Sequence, residues 1–187
     1  MKIGLFGGSF NPVHNVHIFI AKSLIDKKLV DEVWFVPCKE HSFEKSLESF
    51  SHRANMINFA LDGLKNLKIC EVEKSAKGKS YTIDTLRKLR AIYNHEFFIV
   101  VGADILGEIN RWYCFDDLKR EAKFIVFKRA GYQINNPGIN MKEIDVRELN
   151  ISSSMIRKLV AERISIKEFV PAGVEDYIHK NKLFIKI

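Results

Sequence analysis

The residues with the most chemical promise lie near the N-terminus, in Gly7-Gly8-Ser9-Phe10-Asn11-Pro12-Val13-His14-Asn15-Val16-His17. Two adjacent glycines behind a short apolar run let the backbone turn sharply and bring bare amide N–H groups against a ligand. Phosphate suits such a surface. Pro12 keeps the loop from continuing a strand, and a helix starting near Val13 aims its N-terminal dipole at the same place. His14 and His17 are spaced i, i+3, so they share one face of that helix's first turn, within reach of one phosphate group. Taken singly, the glycines are a tight turn and the histidines ordinary helix residues; their combination after a first strand favours an anion site. Zinc is a poor occupant, because two histidines need further ligands and neither HExxH nor a cysteine cluster accompanies them.

Three further blocks carry groups of the same kind. In Ile151-Ser152-Ser153-Ser154-Met155-Ile156-Arg157, Ser152 is a natural N-cap. The amides of Ser153 and Ser154 then face outward at the positive end of a helix, and Arg157 lies one turn on, placed to fork onto phosphate oxygens. Gly102-Ala103-Asp104 follows the apolar run Phe97–Val101. Asp104 reads either as a helix N-cap or as an acceptor for the ribose or adenine of a nucleotide lying across the strand ends. Trp112-Tyr113 either packs in the core or offers a flat face to a heteroaromatic ring. In Ser80-Tyr81-Thr82-Ile83-Asp84-Thr85-Leu86, Thr82 reads as a cap, with Ile83 and Leu86 opening a buried face.

Two familiar nucleotide motifs fail. Gly4, Gly7 and Gly8 do not make GxGxxG, which disfavours a dehydrogenase, and Gly78-Lys79-Ser80 lacks the glycine a P-loop needs at position 73, where Glu73 stands.

The elements that position these groups follow an α/β rhythm. Strands are expected at Lys2–Phe6, Glu32–Pro37, Leu67–Val72, Phe97–Gly102, Phe124–Lys128 and Ile144–Arg147, and helices over 14–28, 51–64, 82–93, 104–110, 114–121, 153–163 and 173–180. Helix-length crossovers imply a Rossmann-like, doubly wound, largely parallel sheet with helices on both faces and ligands outside the carboxyl ends of the strands. Cys38–Phe50 reads as a substrate loop and Ala130–Asn140 as a surface excursion. At 187 residues and 21.6 kDa, one domain is expected, with 151–187 a helical part of the same body.

Composition narrows the partners. Apolar residues at 47% and charged residues at 28% exclude disordered and collagen-like classes, and no apolar run approaches the roughly 20 residues that cross a bilayer. A net charge of +7 points to anionic partners, nucleotide or nucleic acid, although most of the scattered cations, such as Arg87 to Arg90 and Lys128-Arg129, read as solvated surface. The three cysteines are far apart and no leader-like order precedes the first strand, so a reducing cytoplasm is expected.

Together the blocks resemble the HxGH superfamily of nucleotidyltransferases and, within it, the bacterial nicotinate-nucleotide adenylyltransferases. The resemblance runs in order through GGSFNPVHNVH at 7–17, SYTIDTL at 80–86, GADILGEINRWYCFDDL at 102–118, ISSSMIR at 151–157 and VPAGVEDYIHKNKLF at 170–184. It implies transfer of AMP from ATP to nicotinate mononucleotide, giving deamido-NAD and pyrophosphate, as in NAD biosynthesis, with Mg²⁺ accompanying ATP. It further implies that the amides around Gly7, Gly8, Ser9 and Phe10 hold phosphates and that His14 and His17 meet the ATP phosphates and the charge that builds on them. Asp104 would hold the adenosine, and Ser153, Ser154 and Arg157 the β- and γ-phosphates. Trp112 would stack on the pyridine ring, with Thr82 and the Tyr113 backbone at its carboxylate.

Two departures stand out. Val16 replaces the glycine of HxGH, and the loop Cys38-Lys39-Glu40-His41-Ser42-Phe43-Glu44-Lys45 replaces a PPHK-like run, leaving His41 and Lys45 as its candidate phosphate ligands. Nicotinamide mononucleotide or another phosphate monoester, such as phosphopantetheine, stays open as acceptor. The rival from another class is a basic nucleic-acid-binding module, which explains the charge but not the glycines and histidines at strand ends.

Overall fold

The computed structural model describes residues 1–39, 47–75, 80–129, 131–145 and 151–185. Six strands form one sheet: β1 (Lys2–Gly8), β2 (Glu32–Pro37), β3 (Leu67–Ile69), β4 (Glu96–Gly102), β5 (Lys123–Phe127) and β6 (Asn140–Ile144). Their spatial order is β3-β2-β1-β4-β5-β6, and all five pairings are parallel. This is the doubly wound order, in which the chain reverses direction across the sheet between β1 and β4 and opens a crevice at their carboxyl ends.

The period-2 pattern of the strands divides the core. Ile3 and Leu5 of β1, Phe97, Ile99 and Val101 of β4, and Phe124 and Val126 of β5 face one layer. Phe6, Phe98, Val100, Ile125 and Phe127 face the other. The first layer is covered by α3 (Thr82–Ile92) and α4 (Phe115–Glu121) through Ile83, Leu86, Leu89 and Leu118. The second is covered by α1 (Asn15–Asp26), α2 (Phe50–Leu61), α5 (Ser153–Ala161) and α6 (Ala172–Lys180). Both faces are buried, as an all-parallel sheet requires. Ile156 and Val160 of α5 and Val174 and Ile178 of α6 belong to the same core as β1, so residues 151–185 close the body around the site.

Local signals start the helices where hydroxyls are available. Ser49 Oγ accepts from the His52 N–H at 3.2 Å ahead of α2, and Ser152 Oγ accepts from the Met155 N–H at 3.2 Å ahead of α5. No helix among the described residues is long and apolar enough to cross a membrane.

Several expected elements move. β3 stops at Ile69, and the last strand is Asn140–Ile144, so it lies earlier than Ile144–Arg147 and takes its first residue from the expected surface excursion. Its alternation is faint because only Ile144 of the five is buried: β6 is an edge strand. The helix expected over 104–110 is instead two 3₁₀ turns, Ala103–Ile105 and Ile109–Arg111.

Phe35 on β2 is fully buried against Phe6 and Phe10, with ring centroids 5.5 and 5.4 Å away. Phe35→Ala is expected to cost about 3–5 kcal/mol in urea unfolding; a loss below about 1 kcal/mol would contradict this packing.

Candidate active site

The strand-to-helix connections at the carboxyl edge converge on one rim. β1 runs on through both Gly7 and Gly8, and neither makes the turn. The turn falls at Phe10, whose φ of 48° is left-handed and whose ring is buried among Phe6, Phe35 and His17. That buried ring fixes a backbone conformation costly for a non-glycine residue. The glycines serve by what they lack. A Cβ on Gly8 would lie 3.2 Å from the Phe10 ring, and Gly7 is exposed with nothing within 4 Å of its missing Cβ, so a ligand can approach the backbone there.

His14 is the N-cap of α1 and His17 its third residue. Their rings lie face to face, with centroids 3.7 Å apart and planes at 32°. The His14 backbone N–H donates to His17 Nδ1 at 3.1 Å. That bond makes Nδ1 an acceptor, so the proton of neutral His17 resides on Nε2, which becomes a donor. Burial, with a smaller contribution from the Arg129 guanidinium, holds the His14 pKa down to about 3. Burial also holds His17 well below the ordinary imidazole value, with His14 and then Arg129 adding to it. The pair offers neutral N–H donors rather than two imidazolium charges.

The N-terminus of α5 closes the other side of this loop. The Ser153 hydroxyl donates to the Pro12 carbonyl at 2.9 Å, and Arg157 donates through Nη1 to the Asn11 carbonyl at 2.8 Å and through Nη2 to the Ser154 hydroxyl at 3.4 Å. Ser154 is exposed. The two expected anion sites are thus tied to one another by direct hydrogen bonds.

Asp104 follows β4 in the first 3₁₀ turn and is not a cap; Gly102 holds that place. Its Oδ2 accepts from Arg129 Nη1 at 2.6 Å, and a Cβ on Gly102 would collide with its Oδ1 and stand 3.1 Å from the Phe127 ring. On the opposite layer, Tyr81 is the N-cap of α3 and Thr82 its first residue, so Thr82 does not cap the helix as expected. Tyr113 is exposed and stacks on Tyr81 with centroids 4.2 Å apart, which joins the start of α3 to the segment carrying Trp112. Trp112 is partly buried against the core. His41 and Lys45 lie outside the described residues.

Among the described residues, five buried side-chain polar atoms lack a hydrogen-bond partner: Asn11 Nδ2, His14 Nδ1, Glu73 Oε2, Ser80 Oγ and Asp104 Oδ1. All five belong to connections leaving the carboxyl ends of β1, β3 and β4. Buried orphans are rare, and their concentration at one rim marks where a polar ligand belongs.

A cytidylyltransferase-like family model matches residues 5–159. The nicotinate-nucleotide adenylyltransferase of Bacillus subtilis is 33% identical over 186 residues, covering 98% of each chain. A probable nicotinate-nucleotide adenylyltransferase of Shouchella clausii is 37% identical over 187 residues, covering 98% of this chain and 96% of the relative. The chain belongs to the nicotinate-nucleotide adenylyltransferase family. Among solved structures, the Plasmodium falciparum nicotinic acid mononucleotide adenylyltransferase complexed with NaAD superposes with a TM-score of 0.85 at 25% identity, covering 98% of this chain and 97% of that one.

In this adenylyltransferase-family chain the structure adds two arginines to the residues read from the sequence. Arg129 stands two residues beyond β5 at the same rim, and its place after a strand end was the available signal. Arg53 is 1% exposed on α2, four residues before buried Ile57, a charge on an apolar stripe.

The depressed imidazoles also set a pH dependence. The unfolded chain, with histidines near 6.5, binds protons before the folded one does, so stability is complete above about pH 6.5 and falls as pH drops toward the folded value. The loss is up to ~1.4 kcal/mol per pH unit per imidazole. Urea unfolding at about pH 7 and pH 5.5 checks this: His14→Gln/His17→Gln is expected to show a smaller drop than the parent, and equal drops would contradict it.

Proposed function

We propose that this chain transfers AMP from ATP to nicotinate mononucleotide, forming deamido-NAD and pyrophosphate. The site geometry supports this through one feature above all: a rim of neutral N–H donors, amides and guanidinium groups around the end of β1, beside buried polar atoms of Asn11, His14 and Asp104 that lack a hydrogen-bond partner. The names of the relatives and the NaAD complex of the Plasmodium protein support the acceptor class.

In the proposed reaction, an oxygen of the acceptor's phosphate attacks the α-phosphorus of ATP in line. The bond to the β-phosphate bridging oxygen breaks, and pyrophosphate leaves with that electron pair. No side chain is the nucleophile. The protein acts by alignment and by donors placed where charge accumulates.

His17 Nε2–H donates to the reacting phosphoryl group, while the His14 backbone fixes the tautomer. The amides that open α5 and the Arg157 guanidinium take the leaving phosphates. With its hydroxyl committed to Pro12, Ser153 contributes chiefly through its backbone. Asp104 addresses the adenosine. Arg129, paired with Asp104 and felt electrostatically by both histidines, is a cation for the non-bridging oxygens. From the other layer Trp112 stacks on the pyridine ring, with Thr82 and the Tyr113 backbone at its carboxylate.

The donors here are imidazoles, amides, hydroxyls and guanidinium groups, a set that suits oxyanions rather than hard cations. Mg²⁺ therefore enters as part of the ATP substrate, held by phosphate and water.

Pyrophosphate release from ATP, measured with nicotinate and nicotinamide mononucleotides side by side, is expected to be faster with the acid. Faster release with the amide would overturn the acceptor assignment, and none with either would overturn the reading. His17→Ala is expected to lose about 10²–10³ in kcat while remaining folded by circular dichroism; unchanged turnover would remove His17 from the mechanism.

A further inference from the structure

Arg53 is a second buried polar centre beneath the site, and nothing in the mechanism above uses it. Its side chain is among the largest fully buried ones in the protein. The guanidinium donates to main-chain carbonyls from two separate connections, β1 to α1 and β2 to α2. Nη1 reaches Ser9 at 2.9 Å, Nη2 reaches Cys38 at 2.8 Å and Lys39 at 3.3 Å, and Nε reaches Glu48 at 2.9 Å. Ser9 follows β1, and Cys38 and Lys39 follow β2, so one planar group joins the carboxyl ends of two neighbouring strands. Glu48 in turn donates its backbone N–H to Asn11 Oδ1 at 3.2 Å, which closes the circuit on the same turn.

The direction of these bonds matters more than their number. In a trans peptide the C=O and N–H point opposite ways. The Ser9–Phe10 bond is trans, the cis bond being Asn11–Pro12. With the Ser9 carbonyl drawn inward to Arg53, the Phe10 N–H is turned outward. The Cys38–Lys39 peptide obeys the same geometry: its carbonyl meets Arg53, and the Lys39 N–H on its far side bonds Glu73, whose carboxyl is pushed above the usual range by burial, that N–H partly offsetting the rise. Glu73 Oε1 accepts from the Thr85 hydroxyl of α3 at 2.7 Å, so that peptide is held from both sides of the sheet. Burying a guanidinium is costly, and lysine cannot reproduce a fork that reaches four carbonyls in two connections.

We propose that Arg53 is a positioning residue for adenylyl transfer, holding the Ser9–Phe10 peptide so that the Phe10 N–H faces the nucleotide phosphates. It rests on the function proposed above, and it acts through the backbone without touching substrate.

The test compares the parent with Arg53→Lys and Arg53→Met. Pyrophosphate release, thermal melting, calorimetric binding of a non-hydrolysable ATP analogue and amide NMR would be measured on each full chain. For folded Arg53→Lys the expected result is about 10²-fold lower kcat with the KM for nicotinate mononucleotide within about threefold of the parent, because an ångström of misplacement at a reacting centre costs that much. Analogue binding is expected to weaken about tenfold. A variant that merely loosened the core would melt earlier but keep its kcat below the melting range, and that outcome would overturn the proposal.

If neither variant folds, the parent decides: its Phe10 amide resonance must shift and gain exchange protection on adding the analogue. An unperturbed Phe10 amide overturns the proposal. A parent that binds the analogue with this shift yet releases no pyrophosphate with either mononucleotide upholds the positioning and overturns the function.

Discussion

Two polyanions cannot be brought together unless something at their meeting place receives charge without adding to the crowd of ions. In the proposed reaction that constraint would be met by packing the imidazoles of His14 and His17 ring on ring, 3.7 Å apart, under a loop packed on Phe10. Burial keeps both rings neutral, and the bond from the His14 N–H to His17 Nδ1 selects the tautomer. The donors are therefore fixed before a ligand arrives. A preformed dipole aimed at developing charge needs little reorganisation at the moment of reaction, which is why such groups contribute so much to catalysis.

Everything around the pair serves its placement. β1 delivers the chain to the centre of the sheet's carboxyl edge, and the flat side of Gly8 admits the Phe10 ring that locks the turn. The turn is then gripped from opposite directions. Arg157 and Ser153 hold the carbonyls of Asn11 and Pro12 from α5, and Arg53 holds that of Ser9 from α2. Two helices of one layer thus grip a single loop, while on the other layer the Tyr81–Tyr113 stack joins the start of α3 to the segment carrying Trp112. The adenosine and pyridine ends of the substrates would meet across the strand ends, with the Asp104–Arg129 pair beside them.

Much of this could be read from residue order because the fold is regular and the chemistry is local. Apolar runs at 3–6, 33–37, 97–102 and 124–127 are buried on both faces, so they announce themselves as parallel strands. Ser152 caps α5 with an ordinary side-chain bond inside one turn. What escaped was decided at a distance. β6 buries only one of its five residues and gains its place by pairing with β5, which no local pattern records. The turn at Phe10 is set by tertiary packing of its ring, which outweighs the conformational freedom of the neighbouring glycines. Arg53 and Arg129 look like ordinary surface charges until the sheet brings their connections together.

The proposed chemistry requires His17 to be a neutral Nε2–H donor before any nucleotide binds. Long-range proton–nitrogen NMR of the histidine rings near pH 7 tests it directly. The predicted result is an unprotonated Nδ1 and a protonated Nε2 on His17 in the free protein, with the Nε2 resonance shifting when a non-hydrolysable ATP analogue and magnesium are added. A doubly protonated ring in the free protein, or an Nε2 signal indifferent to the analogue, would contradict it.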